Sequence, residues 1–460
     1  MTETLTAVAD TLCGLPLFIL LIGGGLILFL GSGALPLRRL PDALRLLREK
    51  PSSDNSGVAA GQISSVKALA AVVAATVGMG NIAGVAIALV TGGPGAIFWM
   101  WVSAIVGMAS KYHEGVLAIA YRSTSADGST RGGPMYIIRN ALSPRWWWMA
   151  SCFAVAGMIG TLCIMNANQL TEAVLATTGI DPDTNLAARV VTGMAIASVV
   201  ALVVLGGIRR IASVASVMVP AMVGLYFVMV TYIIVTHIGA LPSAIASIFS
   251  EAFSLRAGWG ALIGVALIGA RRAMLVNDAG VGTASIMHGE SRNPSPVREG
   301  LVAMLGPAID SGFVCTLTAL ALLLTVDFGA LEPGSVKGLA LAMEGFDSAI
   351  PFGRWMLMAV VGCFALSSMF SYSFYGNRCA AYLFGPKGAK LYTHFFILSL
   401  ILFASVPLTA AVAMCDMFYF FMALPTMTML LLLRKRVMQL SREDNSAHGQ
   451  VAPVSEPRAD

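Results

Sequence analysis

Two glycine-rich segments, each with a polar side chain at its centre, interrupt long apolar runs in this sequence. Gly78-Met79-Gly80-Asn81 lies within residues 62–90, and Asn277-Asp278-Ala279-Gly280-Val281-Gly282 lies within residues 258–287. Glycine is about 1 kcal/mol worse than alanine in a helix interior. Backbone groups released in hydrocarbon must line a buried or water-filled cavity. Each segment therefore predicts a broken helix whose exposed backbone binds a polar ligand, the alternative being a continuous helix with glycines at packing contacts.

The repetition of this pattern favours broken helices. Two glycine-interrupted, polar-centred spans at matching places in two halves indicate a transporter site between structural repeats. An ionisable group such as Asp278 near the middle of a span also indicates function, because burying it in a membrane is costly. Asp278 is predicted either to coordinate a cation or to pair with Arg271 or Arg272.

Composition identifies the chain as an integral membrane protein. Its 460 residues are 57% hydrophobic and 12% charged, with a mean hydropathy of +0.80, whereas about 25% of a soluble domain is charged. The formal net charge of +5 comes from basic loops that membrane topology explains, so no nucleic-acid partner is predicted. The seven cysteines lie in or beside apolar runs without C-x-x-C spacing, so neither disulfides nor a zinc site is predicted.

The apolar runs predict eleven transmembrane helices in a single domain, residues 1–440. Most Lys and Arg residues fall in loops on one side, and the positive-inside rule makes that side cytoplasmic. The N-terminus is therefore predicted outside and the C-terminus inside the cell (inner) membrane, with residues 441–460 as a disordered cytoplasmic tail. The predicted spans are 15–37, 62–90, 94–120, 146–172, 186–206, 212–236, 258–287, 298–325, 353–376, 391–413 and 415–433.

Amide and charged side chains inside other predicted spans are further candidates for the site. Asn166 and Gln169 share a helix face, which predicts either a pocket lining or hydrogen bonds between helices. Lys111 and Glu114 stand one turn apart and predict an ion pair, either structural or part of a gate.

Oxygen-bearing side chains at three places suit a small hard cation such as sodium. Thr76 and Asn81 flank the first break, and Asp310 lies among hydroxyl side chains on the eighth span. Ser367 and Ser368 are adjacent on the ninth span. Hydrogen bonding between helices is the alternative role for Asn81 and for the serines.

Motifs for common enzyme chemistry are absent from the sequence. There is no H-E-x-x-H, G-x-x-x-x-G-K-[ST] or G-x-S-x-G pattern. The chain is therefore predicted to be neither an enzyme nor directly driven by ATP. No cofactor and no obligatory protein partner are expected.

Several motifs resemble the alanine/glycine:cation symporter family. They are ATVGMGNIAGVA at 75–86, GGPGAIFWMW at 92–101, GMASKYHE at 107–114, GGPMYI at 132–137, NDAGVG at 277–282, DSGFVCTLTA at 310–319 and SSMFSYSFYG at 367–376. The resemblance runs in order over about residues 15–435. It implies an all-α, LeuT-like fold of the amino acid–polyamine–organocation superfamily, with inverted five-helix repeats at 62–236 and 258–433 after one extra helix at 15–37.

The resemblance also implies a distribution of site residues. Similarity to sodium-coupled neurotransmitter-type symporters places a substrate carboxylate on the unwound backbone at Met79 and Gly80. The implied sodium ligands are the carbonyls of Ala74, Val77 and Phe364 and the hydroxyls of Ser367 and Ser368. A candidate second cation site comprises Thr76, Asn81 and Asp310. The full set of candidate substrate-binding residues is Gly78, Met79, Gly80, Asn166, Asn277, Asp278 and Gly280.

The sequence departs from the family pattern at several of these positions. Asn166 stands in a stretch where the family has a Gln, Asp278 replaces the usual Glu, and Met79 replaces a usual Thr. Ser371-Tyr372 replaces a usual Gly-Trp, and Asn377 replaces a usual Glu. Several of these changes are predicted to face the pocket, which leaves the cargo open beyond alanine and glycine.

The predicted function is sodium-coupled symport of a small neutral amino acid, similar to alanine or glycine, into the cell by alternating access. The closest alternative is a proton-coupled symporter or an exchanger with a different small amino acid as cargo, using Asp278, Asp310 and Glu114 as proton carriers. A passive channel is a more distant alternative, because glycine-rich backbone and polar linings also build pores.

Overall fold

A computed structural model describes residues 14–48, 63–124, 130–180, 185–253, 259–328, 338–405 and 408–449. These ranges are almost entirely helical, because a helix pairs every backbone N–H and C=O within one segment, as hydrocarbon requires. The β structure within them is an antiparallel ribbon of β1 (Ser123–Thr124) and β2 (Thr130–Arg131), together with a parallel bridge between Ile63 and Ser291.

The helices of the first half include both long apolar segments and short surface segments. They are α1 (Leu15–Gly31), α2 (Leu35–Arg38), α3 (Leu40–Arg48), α4 (Ser65–Thr76), α5 (Gly80–Gly92), α6 (Gly95–Ala120), α7 (Pro134–Ala141), α8 (Trp147–Gly160), α9 (Ile164–Thr177), α10 (Leu186–Val204) and α11 (Gly207–Thr236).

The second half begins with a short helix that is separate from the longer spans. The helices are α12 (Leu241–Ala252), α13 (Trp259–Asn277), α14 (Thr283–His288), α15 (Pro296–Thr325), α16 (Gly338–Ala349), α17 (Gly353–Ala404) and α18 (Leu408–Gly449). Helix α12 packs on α6, and its Ala252 carbonyl accepts a hydrogen bond from the indole N–H of Trp99, 3.2 Å away.

Six helical stretches of the described chain are long and apolar enough to cross a membrane, with α8 and α9 counted together as one stretch, Pro144–Thr177. The number is seven if α4 and α5 also form one span. Helix α17 divides at Gly385, which has φ of +70° and is followed by Pro386. Its 52 residues therefore form two helical segments. The predicted boundary between spans at residue 414 is wrong, because α18 runs through it. Helix α18 also continues to Gly449, past the predicted start of the tail at 441, and residues 450–460 lie outside the described ranges.

The first predicted break is present between α4 and α5. Helix α4 ends at Thr76, Val77 is extended with ψ of 93°, and the axes of α4 and α5 are bent by 56°. Glycine is required at position 78 for space, since a Cβ there would lie 2.8 Å from the hydroxyl oxygen of Ser368. The close approach of α17 therefore depends on this glycine.

The second predicted break is also present, between α13 and α14. Asp278, Gly280 and Gly282 have φ of 51°, 83° and 98°, which no right-handed helix can contain. A Cβ on Gly282 would lie 2.5 Å from the ring of Pro134, so a larger residue is excluded there by space as well as by conformation.

A third break was missed from the sequence. Residues 146–172 are predicted as one continuous span, but Cys163 has φ of 53° and separates α8 from α9. Gly160 ends α8 directly before this interruption, and glycine is a poor helix former, so the local sequence carries a weak signal that the predicted span did not take into account.

Helix α6 forms the centre of the bundle. It packs against α13 and α15, and nearly every side chain from Ser103 to Ile119 is buried. Close packing relies on small residues, as is common between membrane helices. A Cβ on Gly115 would lie 2.7 Å from that of Ala303, and one on Gly107 would lie 3.1 Å from that of Ala279. Helix α6 thus fixes the second break relative to the rest of the bundle.

Candidate functional site

A cavity of about 210 Å³ lies beside the first break. Four of the candidate substrate residues line it, namely Gly78, Met79, Gly80 and Asn166. The other polar lining residues are Thr76, Gln169, Arg272, Ser368, Tyr372 and Tyr419. The cavity is therefore formed by the broken helix together with α9, α13, α17 and α18.

Ser368 lies where three backbone carbonyls converge. Its hydroxyl oxygen is 3.3 Å from the carbonyl oxygen of Ala74, 2.9 Å from that of Ala75 and 3.0 Å from that of Phe364. The hydroxyl of Ser367 also donates to the carbonyl of Phe364, at 3.0 Å. A hydroxyl has a single proton, so Ser368 cannot satisfy three carbonyls at once. Such a cluster of neutral oxygens suits a small cation.

Thr76, Asn81 and Asp310 also come together. The amide nitrogen of Asn81 donates to Asp310 Oδ1, and its amide oxygen accepts from the backbone N–H of Gly78 at 2.8 Å. Thr76 lies beside the same carboxyl group. Asp310 is fully buried, and its Oδ2 has no hydrogen-bond partner within the described chain. The trio therefore presents one unused carboxylate oxygen next to the first break.

Most polar groups of the second break are paired inside the protein, with the buried Asp278 Oδ1 as an exception, and Asn277, Asp278 and Gly280 do not line the cavity in this structure. The side chain of Asn277 accepts from the N–H of Ala279 at 3.0 Å and donates to Ser311 at 3.3 Å. The N–H of Gly280 donates to Glu114 Oε1 at 2.8 Å. Three of the seven candidate substrate residues, Asn277, Asp278 and Gly280, therefore lie behind the cavity wall.

Tyr372 and Tyr419 separate Asp278 from the cavity. The phenol of Tyr372 donates to Asp278 Oδ2, and Thr283 approaches the same oxygen at 3.3 Å. The phenol oxygens of Tyr372 and Tyr419 are 2.5 Å apart. Tyr372 was noted in the sequence as a departure from the family, but its partnership with Asp278 was not foreseen. Tyr419 carried no sequence signal beyond being a tyrosine in an apolar span.

The predicted ion pair between Lys111 and Glu114 does not form. Glu114 Oε1 accepts from Gly280 instead, and the ammonium group of Lys111 has no hydrogen-bond partner in the described part of the chain. Lys111 interacts electrostatically with both Glu114 and Asp278. The three groups form a fully buried charged cluster rather than a pair along one helix face.

The amide side chains of α9 divide between the two predicted roles. Asn166 and Gln169 line the cavity, whereas the amide of Asn168 reaches the carbonyl of Phe403, 3.5 Å away. Gln169 Oε1 is buried and has no hydrogen-bond partner among the described residues. Of the two arginines of α13, Arg272 lines the cavity.

A hydrogen-bonded cluster around Glu299 joins the start of α4 to α14 and α15, and sequence reasoning missed it. Glu299 Oε1 lies 2.6 Å from Nδ1 of His288, and its Oε2 accepts from Ser65 at 2.6 Å and from Ser291 at 2.9 Å. Glu299 and His288 are fully buried. The cluster fixes the end of α4 that is remote from the break.

Backbone pairing and an ion pair hold the same end of the bundle. Ile63 donates to the carbonyl of Glu290 at 3.0 Å and accepts from Arg292 at 2.8 Å. Glu290 also lies 2.8 Å from Arg378 of α17. Glu290 lies in the connection between α14 and α15, where burial raises its pKa to about 7 although Arg378 acts to lower it. This carboxyl group therefore changes charge near neutral pH.

Replacement of Glu299 by glutamine is expected to destabilise this end. The amide has one acceptor oxygen where the carboxylate receives three partners, and breaking a buried charged network costs on the order of 3 kcal/mol. The thermal unfolding midpoint of purified Glu299→Gln in detergent should fall clearly below that of wild type. Glu344→Gln on the exposed face of α16 is the matched control, and equal midpoints for the two variants would contradict the prediction.

The arrangement of the helices is similar to that of a protein of solved structure. The structure is similar to that of MhsT, a LeuT-like transporter solved in complex with L-phenylalanine, with a TM-score of 0.55 over 84% of this chain and 99% of MhsT. At 14% sequence identity this similarity concerns the fold alone.

The particular family follows from the sequence comparisons. Residues 1–451 match the sodium:alanine symporter family, and the chain belongs to that family. It is 38% identical over 425 residues, 91% of each chain, to the sodium/alanine symporter AgcS of Methanococcus maripaludis. It is 31% identical over 405 residues, 85% of this chain and 80% of the relative, to the putative sodium/proton-dependent alanine carrier protein YrbD of Bacillus subtilis. The chain is thus a multi-pass membrane transporter and not an enzyme.

Proposed function

We propose that this protein is a sodium-coupled symporter that imports a small neutral amino acid by alternating access. The observation that carries the proposal is the convergence of the Ala74, Ala75 and Phe364 carbonyls on the hydroxyl of Ser368, at the edge of the cavity. A cation held there would bridge α4 to α17. Membership of the sodium:alanine symporter family supports sodium as that ion.

Sodium would bind to the carbonyls of Ala74, Val77 and Phe364 and to the hydroxyls of Ser367 and Ser368. The amino acid would occupy the cavity with its carboxylate at the start of α5, where the positive end of a helix dipole favours an anion. Thr76, Asn81 and Asp310 form a candidate second cation site at the same break. Binding of the ion would then shift the population toward the conformer that binds substrate, which is the thermodynamic basis of coupling.

The proposed topology has eleven spans in a domain of residues 1–440, with the repeats at 62–236 and 258–433. The N-terminus would lie outside and the C-terminus in the cytoplasm, in the cell (inner) membrane. The Glu299 cluster would then lie towards the cytoplasmic side, because Arg122, Arg292 and Arg378 lie beside it and positive charge favours that side.

Proton coupling is the second candidate function. Asp310 Oδ2, Glu114 Oε2 and Asp278 Oδ1 are all buried with no hydrogen-bond partner within the described chain, and each is a candidate proton carrier. The named sodium/proton-dependent relative adds weight to this alternative.

Uptake into proteoliposomes tests these functions. Radiolabelled alanine, glycine, serine and a mixed amino acid pool are offered under inward sodium, potassium or proton gradients. We expect saturable, uphill uptake driven by sodium. Uptake driven by protons alone would indicate proton coupling through the carboxyl groups of Asp310, Glu114 and Asp278. Unsaturable flux without accumulation would indicate a channel.

A further inference from the structure

The hydrogen bonds of Tyr372 and Tyr419 have a fixed direction. A phenol has one proton, and that of Tyr372 is donated to the carboxylate oxygen of Asp278. Tyr419 lies 2.5 Å from Tyr372 and also hydrogen-bonds to Asp278, so its single proton is donated to one of these two partners. Both tyrosines line the cavity, yet both protons are directed away from it, so their oxygens offer the cavity lone pairs only.

The buried surroundings of Asp278 maintain this direction. Asp278 is fully buried, and its backbone conformation with φ of 51° places its side chain against Tyr372 and Thr283. Lys111 is the buried cation with which this carboxylate interacts. A carboxylate in its ionised form accepts hydrogen bonds and donates none, so the hydrogen bonds of Tyr372 and Tyr419 keep this direction while Asp278 is ionised. Asp278 acts on the cavity as a positioning residue.

The two phenol oxygens are the acceptors that Tyr372 and Tyr419 offer to a ligand in the cavity. Gln169 also lines the cavity, but its amide oxygen is sealed within the protein and has no accessible surface. An alanine side chain would leave the phenol oxygens facing a methyl group. Sites with buried polar groups discriminate strongly against a ligand that leaves those groups unpaired.

The first break can bind the amino and carboxyl groups without the tyrosines. A helix that ends leaves unpaired carbonyls at its C-terminus and unpaired N–H groups at the start of the next helix. The end of α4 and the start of α5 lie together at the cavity, where Ala75, Thr76, Met79 and Gly80 line it. The α-ammonium group of the amino acid would contact the carbonyls at the end of α4, and its α-carboxylate would contact the N–H groups at the start of α5. Tyr372 and Tyr419, on α17 and α18, are then left for the side chain of the cargo.

We infer that the transported amino acid carries a hydrogen-bond donor on its side chain, a hydroxyl or a primary amide, which the phenol oxygens of Tyr372 and Tyr419 accept. This inference rests on the proposed function and narrows its cargo. It makes alanine and glycine poor substrates relative to neutral amino acids with a side-chain O–H or N–H group.

Isosteric pairs of amino acids provide the test. Serine with 2-aminobutyrate, and threonine with valine, differ by a hydroxyl in place of a methyl group. In proteoliposomes under a constant inward sodium gradient, the hydroxyl member of each pair should have a kcat/KM at least about tenfold higher. Asparagine and glutamine should compete with serine better than alanine does. Equal or reversed preference in the wild-type protein overturns the inference.

Tyr419→Phe identifies the residue responsible. It removes the phenol oxygen that faces the cavity, and the ratio of kcat/KM within each pair should fall to about twofold or less. Tyr375→Phe is the matched control, because its buried hydroxyl has no partner among the described residues, its ring packs edge-on against Tyr372 at 5.4 Å, and it does not line the cavity. The control should keep the wild-type ratio.

The outcomes separate this inference from the proposed function. If Tyr419→Phe reduces uptake of both members of a pair equally, the phenol binds the α-ammonium and the inference is wrong. If the hydroxyl preference appears in uptake that does not require sodium, the inference stands and the proposed sodium coupling fails. Sodium-driven uptake without any hydroxyl preference leaves the coupling intact and overturns the inference.

Discussion

Ser368→Ala should raise the sodium concentration for half-maximal uptake by about tenfold or more. The substitution removes one of the proposed oxygen ligands and leaves the carbonyls of Ala74, Ala75 and Phe364 without their common hydroxyl donor. A factor of ten in affinity corresponds to about 1.4 kcal/mol, which is modest for the loss of a ligand to an ion. The measurement is initial uptake of the best substrate at a series of sodium concentrations in proteoliposomes.

Ser373→Ala is the control for this effect. Ser373 is a buried serine farther along α17 whose hydroxyl donates within its own helix to Phe370 at 2.7 Å, so its loss should leave the sodium dependence unchanged. If Ser368→Ala and Ser373→Ala gave the same sodium dependence as wild type, the oxygen cluster at Ser368 would not be the coupling site. A uniform fall in maximal rate without a change in sodium affinity would point to packing instead.

Lys111→Met should severely reduce both stability and transport. Methionine keeps much of the apolar stem but removes the charge that interacts with Glu114 and Asp278. Removal of one partner from a buried charged group costs on the order of 3 to 5 kcal/mol, because the remaining charge is left uncompensated. We expect a lower thermal midpoint in detergent and uptake near background.

Two further variants identify the cause of this effect. Lys67→Met, on an exposed face of α4, removes a lysine without a buried partner and should behave as wild type. Glu114→Gln combined with Lys111→Met removes one of the uncompensated carboxylates and should recover part of the lost stability, which a double-mutant cycle measures. An unchanged or higher midpoint for Lys111→Met would show that the buried ammonium does not stabilise these carboxylates.

Local sequence features predicted the parts of the site that depend on the backbone. The alternating glycines at 78 and 80 and at 280 and 282 indicated both broken helices, because glycine weakens a helix wherever it stands. Ser367 and Ser368, the proposed oxygen ligands, were singled out by their hydroxyl groups inside an apolar span and by resemblance to the family, and Asn81 and Asp310 by their polarity inside apolar spans. Hydropathy likewise predicted a membrane protein without any knowledge of contacts.

Spacing along a helix was misleading where a distant partner competed. Lys111 and Glu114 have the spacing of an ion pair, yet Glu114 binds the N–H of Gly280, which the second break releases. An unpaired backbone N–H group in a buried setting is costly. The N–H of Gly280 therefore binds the carboxylate of Glu114, which the helix spacing had predicted to pair with Lys111. Similarly, Cys163 interrupts the span predicted at 146–172, where Gly160 at the end of α8 was a weaker signal than the alternating glycines of the other two breaks.

The sequence by itself determined the class of protein, the family and the two breaks, since these depend on composition, on motifs and on the conformational preferences of single residues. Only the tertiary structure decided which groups meet. Ser368 reaches Ala75 across 293 positions of the chain, and Tyr372 reaches Asp278 across 94. Packing of whole helices sets such contacts, and it placed two tyrosines, not the second break itself, at the wall of the cavity.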